Sequence, residues 1–300
     1  MLESGNGITH CGFVALIGRP NVGKSTLLNK ILGEKIVITS RKPQTTRNSI
    51  KGIINHKSSQ IVIFDTPGVH EGAKLINRYM ARRALSTLSE VDLVLFLVDA
   101  KDGVRDEDRM LAEKISEAKV PVFVVVNKSD VREGAGGEFS QLLPSSEVFE
   151  VSALSGKGTG ELLDAMSAAM PENPACYPED YLTDRPERFI AQEFIREKVF
   201  ELTGEELPYS VAVTIELWEE KPEQDLNVIH ATIHVERDSQ KAIIIGKGGT
   251  LIKEIGKRAR MDLEKLLGTR VFLDLHVGVE KNWTKDPVQL KRFGYGEADA

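Results

Sequence analysis

The stretch Gly18-Arg19-Pro20-Asn21-Val22-Gly23-Lys24-Ser25 decides the fold. It fits G-x-x-x-x-G-K-[ST], the phosphate-binding loop, and it sits where that motif must sit. Before it runs the apolar, strand-like Phe13-Val14-Ala15-Leu16-Ile17, and after it Ser25 to Leu32 reads as a helix. Consecutive backbone N–H groups and a helix N-terminus then converge on one point, which attracts polyanions. Gly18 and Gly23 let the backbone turn without a Cβ clash. Lys24 can reach the β- and γ-phosphates, and Ser25 offers a hydroxyl to Mg²⁺. A plain glycine turn between strand and helix is the bland alternative; the ordered strand, motif and helix argue against it.

Downstream, Ser40-Arg41-Lys42-Pro43-Gln44-Thr45-Thr46-Arg47 is polar and aperiodic, hence a loop. It is either a simple connection or a switch in which a threonine hydroxyl ligates Mg²⁺ beside a γ-phosphate, with Thr46 favoured over Thr45. Ile61-Val62-Ile63-Phe64-Asp65-Thr66-Pro67-Gly68 is an apolar run ending in an aspartate and a turn. A buried strand would deliver Asp65 to its carboxyl end near Mg²⁺, and Gly68 would offer an N–H to the γ-phosphate. The same residues also make an ordinary strand-ending turn. Val69 stands where Ras-like enzymes carry a water-orienting glutamine. An apolar side chain cannot hold water, so slow intrinsic hydrolysis is expected.

Val91 to Asp99 and Val120 to Val126 read as buried parallel strands, with a charged amphipathic helix from Arg105 to Ala118 between them. The second strand ends in Asn127-Lys128-Ser129-Asp130. A carboxylate at Asp130 can accept from guanine N1–H and its 2-amino group, whereas adenine would set a lone pair against it. Asn127 can tie this loop to the phosphate loop, and Lys128 can lie along the purine. Val148 to Val151 gives a last short strand before Ser152-Ala153-Leu154, where the Ala153 N–H is expected to face guanine O6. Gly160 to Ala169 closes the domain as a helix. Strands alternating with helices imply a doubly wound sheet with its site at the strands' carboxyl ends.

A chain of 300 residues suggests two domains. Pro171-Glu172-Asn173-Pro174-Ala175-Cys176-Tyr177-Pro178 is proline-rich and aperiodic, so it reads as a semi-rigid linker. The expected domains are 1–172, a linker over 173–185, a second domain over 186–285 and a polar tail over 286–300. In the second domain Pro186 to Thr203 reads as a helix. Tyr209 to Glu219 is a strand with Val211, Val213, Ile215 and Leu217 on one face, and Asn227 to Arg237 is another. A short helix, the turn Gly246-Lys247-Gly248-Gly249 and a longer helix follow, then a strand from Arg270 to Val279. Glycines let a nucleic-acid backbone approach, and Lys247 answers a phosphate. Lys241, Lys253, Lys257, Arg258 and Arg260 add charge nearby. Trp283 is read as a base-stacking platform or a satellite core residue.

The net charge of −6 requires any nucleic-acid affinity to come from a local basic patch. The two cysteines, Cys11 and Cys176, make no metal or disulfide pattern, and a reducing cytosol is the expected compartment. No secretory signal or membrane-spanning run is read.

Together the halves resemble the Era-type GTPases, from about Gly12 to Asp286: a P-loop GTPase with a doubly wound, mostly parallel α/β sheet, then a C-terminal α+β type II KH domain. The resemblance implies nucleotide contacts from Asn21, Val22, Gly23, Lys24, Ser25, Thr26, Asp65, Gly68, Asn127, Lys128, Asp130, Ser152 and Ala153. It implies RNA contacts around Gly246 to Gly249. It implies GTP and GDP as ligands, Mg²⁺ as cofactor and a K⁺ ion held by Asn21. The implied partner is the 3′ end of 16S ribosomal RNA, during assembly and maturation of the small (30S) subunit, with loose peripheral contact with the inner membrane; a monomer is expected. Two other readings differ in class. One is a nucleotide-driven RNA-modifying enzyme, for which no catalytic cluster is seen outside the first domain. The other is a signalling GTPase whose KH-like domain binds protein.

Overall fold

The computed structural model describes residues 7–39, 50–66, 88, 90–117, 119–204, 207 and 210–295. They divide into two compact units, the first reaching 37 and resuming over 50–184, the second holding 38–39 and 185–295.

The first unit is a six-stranded sheet in the order β2-β3-β1-β4-β5-β6. Its strands are β1 (His10–Ile17), β2 (Ile50–His56), β3 (Ser59–Asp65), β4 (Leu93–Asp99), β5 (Val122–Asn127) and β6 (Glu147–Glu150). Around them lie α1 (Lys24–Leu32), α2 (Asp106–Ser116), α3 (Gly136–Phe139) and α4 (Thr159–Ala169). All neighbours pair parallel except β2 with β3. The β4 run Leu93-Val94-Leu95-Phe96-Leu97-Val98 is buried throughout, as a parallel strand covered on both faces requires.

β2 was not foreseen. It forms a hairpin with β3 through Lys57, whose φ of 54° supplies the left-handed turn. Gly52 is needed within it, because a Cβ there would meet Leu28 Cδ1 of α1 at 2.6 Å.

The proline-rich stretch read as a linker is bound to this unit. Gln60, fully buried, accepts the N–H groups of Cys176 and Tyr177 at 2.8 and 2.9 Å and donates to the Tyr177 carbonyl at 2.9 Å. Further on, the Ile53 N–H donates to Leu182 O at 2.9 Å, and Gly52 bridges to Thr183. The strap thus covers the outer edge of β2, which would otherwise expose unpaired backbone groups.

The second unit has a three-stranded sheet, β7 (Ala212–Lys221), β8 (Leu226–Val235) and β9 (Arg270–Val279), in that order. β7 and β8 are antiparallel; β8 and β9 are parallel. The helices α5 (Glu187–Leu202), α6 (Asp238–Ile245) and α7 (Thr250–Leu267) supply the rest. Ile195, Val199, Val213, Ala231, Ile233, Ile244, Ile255 and Val277 share its core.

The expected face of the first strand changes partway. A β-bulge lies between Ile215 and Leu217, so Leu217 is 44% exposed instead of sharing the buried face. The expected polar tail also carries structure. A short helix, α8 (Pro287–Arg292), is capped by Asp286 accepting from the Val288 N–H at 2.9 Å. It brings Leu290, Phe293 and Tyr295 into buried positions. Trp283, fully buried, belongs to this satellite core and is not available for stacking on a base.

Candidate nucleotide site and nucleic-acid groove

β1 pairs with β3 on one side and β4 on the other, so the chain switches direction across the sheet at its end. Ligands bind at such switch points, outside the strands' carboxyl ends. The loop after β1 occupies that place. Gly18 is obligatory, since a Cβ would lie 2.4 Å from the Leu97 carbonyl oxygen, and Gly23 is too, with φ 102° and Asn127 Nδ2 at 2.2 Å from a Cβ. Asn21 also turns left-handed, φ 65°.

Four strand ends bring the expected residues together. Asp65, fully buried at the end of β3, accepts from Ser25 Oγ at 2.8 Å. Asp99 ends β4 in register with Asn127 at the end of β5. Asn127 Nδ2 donates to Val22 O at 2.8 Å, tying this loop to the phosphate loop. Lys128, with φ 67°, donates from Nζ to Asn21 O at 3.0 Å and pairs with Asp99. Asp130 is exposed at the loop's tip, while the neighbouring Ser129 N–H is fixed to Val151 O at 3.1 Å. Ser152 is buried and its hydroxyl accepts from the Ser155 N–H at 3.2 Å. Thr26 is half-buried in the first turn of α1.

Two expectations change in detail. The Ala153 N–H donates to Asn127 Oδ1 at 2.9 Å, so it is engaged within the protein and does not stand open towards a base. Lys128 likewise spends its ammonium on Asp99 and Asn21, bracing the loop. Thr45, Thr46, Gly68 and Val69 lie outside the described residues.

Sequence reading passed over Arg19. Its Nε donates to both oxygens of buried Asp108 at 3.2 Å, and Nη1 to Asp102 at 3.1 Å. Asp108 also accepts from the Arg105 N–H at 3.0 Å, closing the first turn of α2. The phosphate loop is thereby moored to α2. An arginine inside the motif and acidic residues opening the next helix but one were the only hint.

Lys24 is buried and donates to Gly18 O at 2.8 Å and Arg19 O at 3.0 Å. Burial, opposed by Asp65 and reinforced by Arg19, pushes its ammonium down to about 8. That is below the unfolded lysine value of 10.5, so between the two the unfolded chain holds more protons and stability rises with pH. A polyphosphate on the loop would restore the charge. Nucleotide affinity should therefore fall by up to about tenfold for each pH unit above about 8. Calorimetry near pH 9 in two buffers of different ionisation enthalpy checks this. A binding enthalpy independent of buffer would mean that Lys24 keeps its proton throughout.

In the second unit the expected turn is built of left-handed glycines. Gly246, Gly248 and Gly249 have φ of 70°, 60° and 76°. A Cβ at Gly246 would meet Leu251 Cβ at 2.8 Å, whereas Gly248 and Gly249 face open space. Beside it a groove of about 360 Å³ runs between α7 and β9. Lys253, Gly256, Lys257 and Arg260 line one side, and Phe272 and Asp274 of β9 are on the other. Among the described residues β9 pairs with β8 alone, at the end of the sheet order β7-β8-β9.

Lys247, Lys253 and Lys257 are exposed; Lys241 does not line the groove, and Arg258 instead donates to Glu254 at 2.7 Å on its own helix. Phe272, Asp274 and Gly256 were missed. A glycine inside an amphipathic helix costs about 1 kcal/mol, which signals a close approach and could have marked Gly256. Among the described residues no cluster could hold a metal through His, Cys, Asp and Glu alone, and no helix is long and apolar enough to cross a membrane.

Residues 13–128 match the family model described as "50S ribosome-binding GTPase", and 206–284 match "KH domain". GTPase Era of Geobacter metallireducens is 52% identical over 289 residues, covering 95% of this chain and 97% of that protein. GTPase Era of Carboxydothermus hydrogenoformans is 44% identical over 293 residues, covering 95% and 98%. The crystal structure of Era in complex with MgGDPNP and nucleotides 1506–1542 of 16S ribosomal RNA aligns with a TM-score of 0.91 at 40% identity, covering 96% of this chain and 99% of that one. A structure of a tyrosine-to-alanine variant of Aquifex aeolicus Era bound to GDP·AlF4⁻ aligns equally well, with TM-score 0.91, 40% identity and the same coverage.

Proposed function

The chain belongs to the Era family of GTPases, and from that premise we propose that it is a GTP-switched factor that grips the 3′ end of 16S ribosomal RNA in the groove between α7 and β9 and assists maturation of the small ribosomal subunit. The observation that carries this reading is the groove. A chain of net charge −6 gathers Lys253, Lys257 and Arg260 beside an exposed aromatic and the end strand of the sheet. Cations take phosphates, Phe272 offers a stacking face, and backbone groups of β9 can read base edges. The Gly246–Gly249 turn lets the sugar-phosphate chain pass close.

In the first unit, main-chain N–H groups from Asn21 to Thr26 cradle the phosphates, and Lys24 leaves its loop carbonyls for the β- and γ-oxygens. The all-oxygen pair of Ser25 hydroxyl and Asp65 carboxylate, 2.8 Å apart, suits a hard cation, and Thr46 would complete the set. Ser25 and Asp65 would hold Mg²⁺ there, and it would supply positive charge against that developing on the phosphate oxygens. Asp130 selects guanine, and Asn127 holds the base loop and phosphate loop in one frame. With Val69 unable to orient water, unassisted turnover would be about 10⁻⁴ to 10⁻² s⁻¹. Asn21, at the left-handed turn, would hold K⁺ beside the phosphates; equal turnover in K⁺ and Na⁺ would count against that role.

The test is RNA binding by fluorescence anisotropy with a single-stranded oligonucleotide of the 16S 3′ terminus. Measurements are made with GDP and with a non-hydrolysable GTP analogue. Occupancy should differ between the two. Gly248→Asp, set in open space with φ 60°, places a carboxylate against the RNA backbone and should weaken binding by about 10- to 100-fold while leaving guanine-nucleotide affinity intact. Undiminished RNA binding by that variant would move the site elsewhere.

A further inference from the structure

We infer that Cys11 and Cys176 form a peroxide-responsive dithiol site, closing to a reversible disulfide that staples the strap over 171–184 to β1. They are the chain's two cysteines, 165 residues apart, and their sulfurs lie 2.8 Å from each other. Both are free thiols, Cys11 buried and Cys176 exposed.

The approach is built from both sides. The Cys11 N–H donates to Pro171 O at 3.1 Å, and its carbonyl accepts from Asn173 Nδ2 at 3.2 Å. The Cys176 N–H is held by buried Gln60 at 2.8 Å. Gly12 leaves room for the strap, since a Cβ there would meet Pro171 Cδ at 2.8 Å. Each backbone is thus anchored within a residue or a few of its sulfur, which holds the two thiols side by side.

The two thiols are unlike, one buried and one exposed, which divides the roles between them. Burial first, and then the Cys176 sulfur, push the Cys11 thiol up to about 12, so it stays protonated and shielded. Cys176 is the point of entry for an oxidant. Its thiolate attacks one oxygen of hydrogen peroxide; the O–O bond breaks, hydroxide departs, and the sulfur becomes a sulfenic acid. The Cys11 sulfur then attacks that sulfur and gives up its proton, and the S–O bond breaks with the hydroxyl leaving as water. In sum, two thiols and one peroxide yield one disulfide and two waters. A small dithiol reverses the step by exchange. The site lies at the start of β1, roughly 20 Å from the phosphate loop at its far end by strand rise, so its state can be changed without touching the nucleotide residues.

The experiment uses the full chain, reduced, desalted, exposed to stoichiometric hydrogen peroxide, then alkylated and digested for mass spectrometry. Both thiols should vanish together, with a mass loss of two hydrogens, a peptide joining Cys11 to Cys176, and full recovery on reduction. Cys11→Ser should instead trap a dimedone-reactive sulfenic acid at Cys176. Cys176→Ser should leave Cys11 unmodified, and both variants should keep the circular dichroism spectrum and GDP affinity of the parent. Oxidation of Cys176 to sulfinic acid or to an intermolecular dimer while Cys11 remains alkylatable would overturn the proposal. So would a parent protein in which both thiols survive peroxide.

Discussion

Asp130→Asn is expected to lower GDP affinity by about two to three orders of magnitude and to create affinity for xanthosine diphosphate. The carboxylate would accept two hydrogen bonds, from guanine N1–H and the 2-amino group, and charged hydrogen bonds contribute about 1.5–3 kcal/mol each. An amide can accept one of these but turns an NH₂ group towards the other, so a donor faces a donor. Xanthine carries a carbonyl where guanine has its amine, and that oxygen accepts from the same NH₂. The folded state should hardly notice. Asp130 is exposed at the tip of its loop, and the loop's shape is set by Lys128 at φ 67° and by the Ser129 N–H on Val151 O. A surface change of this kind is usually within about 0.5 kcal/mol of neutral. Titration calorimetry with GDP, ADP and xanthosine diphosphate checks the pattern. Retained GDP affinity with no gain for the xanthine nucleotide would mean that another group reads the base.

The nucleotide half was legible because its chemistry is local. The residues expected to meet phosphate form one contiguous stretch, and Asp65, Asp99 and Asn127 each end a run of buried apolar residues, which is how a parallel sheet presents side chains at one edge. What escaped reading depends on partners distant in sequence. β2 is interrupted by Gly52, and nothing nearby says that Leu28 of α1 must pack on that glycine. Arg19 looks like a motif filler until α2 places Asp108 beside it. The proline-rich strap reads as a semi-rigid linker because its anchor, Gln60, lies more than a hundred residues earlier. In the second unit Lys253 and Lys257 could be guessed from the turn that precedes them, but Phe272 and Asp274 enter the groove only because β9 returns parallel beside β8. The bulge after Ile215 breaks a perfect alternation, so no period-2 argument could have moved Leu217 to the exposed side.

Trp283→Ala is expected to destabilise the second unit by about 3–5 kcal/mol, as full truncation of a buried aromatic does. The indole is fully buried, donates from Nε1 to Ser210 O at 3.0 Å, meets Phe293 edge-on at 5.1 Å and stacks on Tyr295 at 5.8 Å. Removing it strips three groups of partners at once: a backbone carbonyl, and the two aromatic rings that α8 brings in. Phe293 also packs on the buried His234 ring at 4.7 Å, so the loss reaches the end of β8. For a unit near a hundred residues each kcal/mol is worth about 4–8 °C, so the midpoint should drop by roughly 12–40 °C. Trp283→Phe keeps much of the apolar contact but loses the N–H and part of the ring volume, and should cost about 1–3 kcal/mol. Thermal unfolding followed by far-ultraviolet circular dichroism, with guanine nucleotide present to hold the first unit folded, separates the two variants. The base-stacking role predicts the reverse: unchanged melting with a loss of RNA affinity of about 1–3 kcal/mol. A variant that melts like the parent yet binds RNA more weakly would return Trp283 to the RNA surface and leave α8 without the anchor assigned to it here.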